Sequence, residues 1–178
     1  MRDLSVKQYK QSGQTMPLAP DVTIRPAVSA ADMAAAKALF SAYADWLGID
    51  LCFQGFDAEL ATLPGKYAPP TGALLLACLD DGKPVGCVAV RPFGRDGVCE
   101  MKRLYVAPEG RGRGLGQALV SAIIRSAGAL GYREMVLDTL PTMGRAISLY
   151  QMHGFEPANA YYETPIAETV FFRLNLTP

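Results

Sequence analysis

The sequence predicts an α/β fold: a mixed, mostly antiparallel sheet with helices on both faces. Three observations predict it. Strand-length apolar runs at Ala73–Leu79, 85–90 and Val98–Val106 are separated by Asp81-Gly82 and Asp96-Gly97. Asp-Gly between such runs signals a hairpin, so these three strands form an antiparallel meander. Leu115, Leu119, Ile123 and Leu130 then recur on one broad face of a long helix, the pattern of a helix packed on a sheet. That helix leads into a further apolar run, Glu134–Thr139. A strand reached by a helical crossover lies parallel to the one before it.

The other elements follow in order. Residues 1–20 are polar, end with Pro17 and Pro20, and read as a flexible N-terminal arm ahead of a single domain over 21–178. Residues 22–25 alternate and make a short first strand. Ser29 caps the first helix, with Asp32 at the capping-box position in place of the usual Glu. That helix carries Leu39, Tyr43, Trp46 and Leu47 at helical spacing and stops at Gly48. A short helix is expected over 57–63, ended by Pro64-Gly65, then a loop over 67–71 forced by Pro69-Pro70. After the meander come the long helix over 115–130, stopped by Gly131, and the buried strand. A helix over 143–152 stops at Gly154, and a last strand spans 168–176.

Composition narrows the function. The chain has 178 residues, half of them hydrophobic, and seventeen basic residues balance seventeen acidic ones. Broad nucleic-acid or acidic-membrane binding usually shows as a basic excess, which is missing here. No apolar run approaches the length of a membrane span, and residues 1–14 lack the apolar core of a signal peptide. Cys52, Cys78, Cys87 and Cys99 form no C-x-x-C pair, and the chain has one histidine, His153. The expectation is therefore a cytoplasmic protein with no metal site and unpaired thiols in its core. His153, near a helix end, reads as a surface residue complementing the helix dipole.

The chemistry begins at Arg111-Gly112-Arg113-Gly114-Leu115-Gly116, between the third meander strand and the long helix. Alternate glycines leave backbone N–H groups unshielded, two arginines bracket them, and a helix N-terminus follows, a combination suited to a polyphosphate. Three designs compete. A P-loop needs Gly-Lys-Ser/Thr, which is lacking. A dinucleotide turn needs G-x-G-x-x-G tight against its strand. Here Gln117 stands where the third glycine belongs, and Ala107 to Gly110 intervene, although Asp138 lies 22 residues after Gly116. The third design is the R-x-x-G-x-G pyrophosphate loop of coenzyme A-dependent acyltransferases, and Arg111, Gly114 and Gly116 match it fully.

Glu100 to Gly116, Leu137-Asp138-Thr139, and Ala146-x-x-Leu149-Tyr150-x-x-x-Gly154-Phe155 together resemble the GNAT superfamily of N-acetyltransferases. The same loop, after a strand carrying a glutamate and 34 residues before Tyr150, is far more specific than the loop alone. The resemblance implies acetyl-CoA as cosubstrate. Leu104, Tyr105 and Val106 would pair through their main chain with the pantetheine arm, and an N–H close to Leu104 would serve the thioester oxygen. Arg111, Gly112, Arg113, Gly114, Leu115, Gly116 and Gln117 would take the pyrophosphate. It also implies Glu100 as the base that deprotonates the amine and Tyr150 as the acid that protonates the leaving thiolate. Against these stand plainer roles: Glu100 paired with Lys102 or Arg103, and Tyr150 as a core aromatic. Many members carry Asn where this chain has Met143, so the arm is held differently here. Arg145 lies close to the 3′-phosphate position or is simply a surface arginine.

A base is needed because an amine of pKa about 10.4 is about one part in a thousand free at pH 7.4, and recovering it costs about 4 kcal/mol. The resemblance also implies that residues 46–56 and 159–164 build the acceptor site. Trp46, Phe53, Tyr161 and Tyr162 would be walls, and Asp50, Glu59 or Glu163 would hold a second positive charge. This points to a small-molecule amine or amino-acid acceptor, with no nucleic-acid or membrane partner; a protein amine and a homodimer stay open. Two other functions compete: a non-catalytic acyl-CoA-binding sensor of the same fold, which need not keep both Glu100 and Tyr150, and, more distantly, a nucleotide-dependent oxidoreductase.

Overall fold

The computed structural model describes residues 21–49 and 55–176; the expected arm over 1–20 lies outside them. Seven strands form one sheet in the order β1-β2-β3-β4-β5-β7-β6. They are β1 Val22–Pro26, β2 Ala73–Leu79, β3 Pro84–Pro92, β4 Val98–Val106, β5 Glu134–Thr139, β6 Glu156–Ala158 and β7 Val170–Asn175. The helices are α1 Ala30–Leu47, α2 Phe56–Thr62, α3 Leu115–Ala129 and α4 Gly144–Met152. β4 and β5 pair in parallel, and the other five pairings are antiparallel. The expected mixed sheet is the observed one.

The central strands are apolar on both faces because both are covered. Along β2, Leu74, Leu76 and Cys78 join Ala36, Leu39 and Phe40 of α1 in one core. Leu75 and Ala77 face the opposite way and join Leu115, Leu119 and Ile123 of α3, with Met135, Leu137 and Tyr150, in the other.

The caps explain where the helices begin. Ser29 Oγ accepts from the Asp32 N–H at 3.1 Å, and the Ser29 N–H donates back to Asp32 Oδ2 at 3.0 Å. Aspartate therefore completes this capping box. Gly48 adopts the left-handed conformation that ends α1.

Three local features differ from expectation. β6, centred on Pro157, is too short to show alternation and exists through its pairing with β7. Residues Gly65–Tyr67 form a 3-10 turn, and Tyr67, at the start of the expected loop, is buried against Phe40. The last strand starts at Val170, because Glu168 has a positive φ of 64° and breaks the extended run. Cys78, Cys87 and Cys99 are buried free thiols. Burial pushes the Cys99 thiol up to about 12, so it is un-ionised and inert at neutral pH. Cys52 lies outside the described residues. No helix among those described is long and apolar enough to cross a membrane.

Two irregularities open the sheet. β4 and β5 pair only from Val98↔Glu134 to Glu100↔Val136. Beyond that point β4 stays paired to β3 as far as Val106, and β5 stays paired to β7 as far as Thr139. The two strands therefore part into a wedge, leaving the β4 main chain from Met101 onward without a strand partner on that side. Opposite Cys87 to Ala89, β4 carries one extra residue between Lys102 and Tyr105. Arg103 absorbs it with a φ of 60°. Such a bulge redirects side chains, and here it breaks the alternation between two consecutive basic residues.

Candidate active site

The outer part of the wedge is a groove of about 980 Å³. Leu104, Tyr105, Val106, Arg111, Gly112, Gly114, Leu115, Gly116 and Gln117 all line it. Gly112 and Gly114 have φ of 79° and 72°, values that disfavour any residue with a Cβ. Gly114 is the N-cap of α3 and supplies no side-chain cap, so the first-turn N–H groups of that helix are left to a ligand. A Cβ added at Gly112 or Gly114 would meet nothing within 4 Å, so the space over this cradle is open. Bare N–H groups, the helix dipole and Arg111 fit a pyrophosphate. Arg113 is not among the residues lining the groove, and its guanidinium ion-pairs with Asp21. Across from the loop lie Met143 and Arg145, with Trp46. Trp46, 54% exposed, was expected in an acceptor wall and instead borders this groove.

The inner part of the wedge is a chamber of about 80 Å³. Leu47, Leu104, Leu140, Met143 and Ala146 line both spaces, which are therefore adjacent. Tyr150 sits in the chamber wall, 6% exposed and packed edge-on against Phe155. Burial above all, then the nearby Tyr43 and Asp138, raise its phenol above the ordinary value. It is thus protonated at neutral pH, the state from which an acid must start. Tyr162 reaches the chamber as expected, but Tyr161 does not line it.

The chamber's charged residues were not foreseen as site residues. Lys102, Arg103 and Asp138 all line it. Lys102 Nζ lies 2.7 Å from Asp138 Oδ1, and the Tyr162 hydroxyl donates to Asp138 Oδ2 at 3.1 Å. Arg103 donates to Glu59 through Nε at 2.8 Å and Nη2 at 3.0 Å, and its guanidinium lies 4.9 Å from the Phe56 ring centre. Glu59, expected to hold an acceptor's second charge, is occupied by Arg103 and by the Tyr67 hydroxyl at 3.0 Å. The bulge sends Lys102 and Arg103 to one side, a consequence that strand alternation alone does not give. Asp50 and Phe53 lie outside the described residues, and Glu163 lines neither space.

Glu100 lies just behind the chamber, at the last paired position of β4 and β5. Its side chain is 1% exposed. Oε2 is held by Arg91, at 2.7 Å from Nη2 and 2.9 Å from Nε. Oε1 accepts from the Tyr161 hydroxyl at 3.0 Å and lies 3.6 Å from Lys102 Nζ. The expected Lys102 contact is present, whereas Arg103 pairs elsewhere. His153 is held between helices: Nε2 lies 2.9 Å from Ser121 Oγ and Nδ1 2.9 Å from the Leu149 carbonyl. Among the described residues there is no cluster of histidine, cysteine or acidic side chains suited to a metal ion.

Known proteins share this architecture. The profile of the Acetyltransferase (GNAT) family matches residues 37–155. An uncharacterized N-acetyltransferase of Schizosaccharomyces pombe is 49% identical over 141 residues, covering 79% of this chain and 86% of its own. Human N-acetylaspartate synthetase is 30% identical over 123 residues, covering 65% of this chain and 41% of its own. A GNAT superfamily phosphinothricin acetyltransferase from Sinorhizobium meliloti, solved in complex with acetyl-CoA, superposes with a TM-score of 0.64 at 20% identity, over 87% of this chain and 88% of that one. The wedge between β4 and β5, the glycine-arginine loop at the head of α3 and these relatives converge: this chain belongs to the GNAT family of acetyltransferases.

Proposed function

We propose that this protein transfers the acetyl group of acetyl-CoA to the primary amine of a small molecule or amino acid, by direct attack of the amine on the thioester. The observation that carries the reading is the adjacency of two unlike spaces. A groove suited to pyrophosphate and pantetheine lies against a chamber lined by Tyr150 and by the ion-paired Lys102 and Asp138. The cosubstrate supplies the activated acetyl group, and the protein supplies position, base and acid.

In this reading Arg111 and the N–H groups around Gly112, Gly114 and Gly116 hold the pyrophosphate. The unpaired edge of β4 from Leu104 to Val106 takes the pantetheine arm as an added strand would. A main-chain N–H near Leu104, beside the bulge, meets the charge developing on the thioester oxygen. Tyr150, in the chamber wall, gives its proton to the departing thiolate. Glu100 is the proposed final acceptor of the amine's proton. Its Oε1 accepts from the Tyr161 hydroxyl, so the proton arrives by way of that hydroxyl. The relative named N-acetylaspartate synthetase supports an amino-acid acceptor.

A second reading, a binding-only acyl-CoA module, draws support from one observation: Glu100 is sealed from both spaces. Thiol release from acetyl-CoA separates the two readings, measured across polyamines, amino acids, aminoglycosides and short peptides. The enzyme reading expects turnover with at least one class. Tight acetyl-CoA binding with silence across the panel favours the binding module, and absence of acetyl-CoA binding overturns both.

A further inference from the structure

The Lys102–Asp138 pair is unusual in where it points. Both residues line the chamber, and both are largely buried, with side-chain exposures of 8% and 13%. A buried ion pair adds little net stability, because desolvation cancels much of the attraction. Its burial at the reactive end of the wedge therefore asks for another reason.

The other ionic groups nearby are committed. Arg103 is matched by Glu59 in two parallel hydrogen bonds, and Glu100 by Arg91. Lys102 and Asp138 are matched to each other through one contact of 2.7 Å. An ammonium has three donors, and an ionised carboxylate offers about four acceptor sites. Asp138 accepts also from Tyr162, and Lys102 lies near Glu100, yet each retains capacity toward the chamber. The pair thus presents a positive and a negative group side by side on one wall. An amino acid presents the same two charges, with ammonium and carboxylate on one carbon.

We propose that Lys102 and Asp138 together are the acceptor's receptor, and that the acceptor is an α-amino acid with a free carboxylate. Asp138 takes the ammonium and Lys102 the carboxylate, so that one internal pair is exchanged for two charge-assisted contacts. The side chain of the acceptor is left to the apolar wall of Leu47, Ile166 and Met143. This deepens the acetyl-transfer reading and rests on it. It also makes a peptide or protein N-terminus a poor acceptor, since its α-carboxylate is already an amide.

The test is thiol release from acetyl-CoA with free amino acids, each compared with the amine formed by its decarboxylation, in the wild type and in Lys102→Met. The wild type is expected to prefer the amino acid by at least tenfold in kcat/KM. Lys102→Met is expected to bring that ratio close to one, chiefly through KM for the amino acid. Because this variant leaves Asp138 without its cation, Lys102→Arg is the companion: it keeps the charge and is expected to retain most of the preference. A merely structural role for Lys102 would depress both substrates together and leave the ratio unmoved, which overturns the proposal. Equal use of amino acid and amine by the wild type overturns it too, while acetyl transfer stands. Silence with every amino acid also overturns it, and titration of acetyl-CoA then decides the parent reading: heat of binding keeps the cofactor site, and none removes it.

Discussion

The two halves of the wedge are built by different means. The outer groove offers main chain: glycines without side chains, a helix start without a cap, and a strand edge without a partner. The inner chamber offers side chains: Lys102 and Tyr162 bond to Asp138, and Arg103 bonds to Glu59. A main-chain site suits a ligand common to many enzymes, because it depends little on which residues surround it. A side-chain site suits a ligand peculiar to one enzyme, because a single substitution alters its charge or shape. On the proposed reading the groove takes the cosubstrate and the chamber the acceptor.

That division sets the expected effects of substitution. The largest belongs to Tyr150→Phe, which removes a chamber proton donor and leaves the groove untouched. A general acid contributes about 10²- to 10⁴-fold, so kcat should fall by about a hundredfold or more with KM for acetyl-CoA little changed. An unchanged kcat removes Tyr150 as the acid.

Glu100→Gln comes next. Its loss should be greatest at low pH, where the amine is most fully protonated, and should shrink as pH rises toward the amine's own pKa. A kcat/KM profile from pH 6 to 9 reads this directly, and a uniform loss assigns Glu100 to positioning.

Gly114→Ala acts on the other half. Its left-handed φ costs about 1–2 kcal/mol for a residue with a Cβ. Thermal stability should fall, and KM for acetyl-CoA should rise more than kcat falls. The reverse pattern would mean that the groove is not where the cosubstrate binds.

The smallest effect on catalysis is expected outside the wedge, at Asp32. The Arg25 guanidinium, aided by the Ser29 and Val28 N–H groups, holds its carboxyl well below the usual carboxylate range. A carboxylate whose folded pKa is depressed contributes stability that is complete above its unfolded pKa, about 3.9, and is lost as pH falls further. Asp32→Asn should therefore lower Tm at pH 7, with the gap to the wild type beginning to narrow below about pH 4 and closing progressively toward the depressed folded pKa, and with kcat unaltered. A Tm gap that persists undiminished at pH 3 would show that the charge of Asp32 is not what the cap uses.

The same division explains what the sequence alone could reveal. Strand alternation, Asp-Gly turns, the Ser29 cap and the stops at Gly48, Gly131 and Gly154 act within a few residues of themselves, so the sheet and its helices were legible. The groove was legible for the same reason, since its glycines and Arg111 are contiguous and their spacing is itself the signal. The ion pair of Arg113 was not legible, because its partner, Asp21, lies 92 residues away and gives no local sign. The chamber was largely illegible. Lys102 reaches it together with Arg103 only because an extra residue interrupts β4, and Asp138 arrives from β5, 36 residues on. The one available hint was Lys102-Arg103 itself, two adjacent cations in a strand whose alternation should have separated them. Glu59, expected to meet a ligand, meets Arg103 instead, which no spacing rule anticipates.

In the proposed reading acetyl-CoA lies in the wedge, with its thioester between groove and chamber. A crystal structure with acetyl-CoA tests this most directly. The expected result is pyrophosphate on the N–H groups around Gly112 to Gly116, pantetheine along Leu104 to Val106, and the thioester sulfur within about 3.5 Å of the Tyr150 hydroxyl. A cosubstrate bound away from the parted strands, or a sulfur that Tyr150 cannot reach, would contradict it.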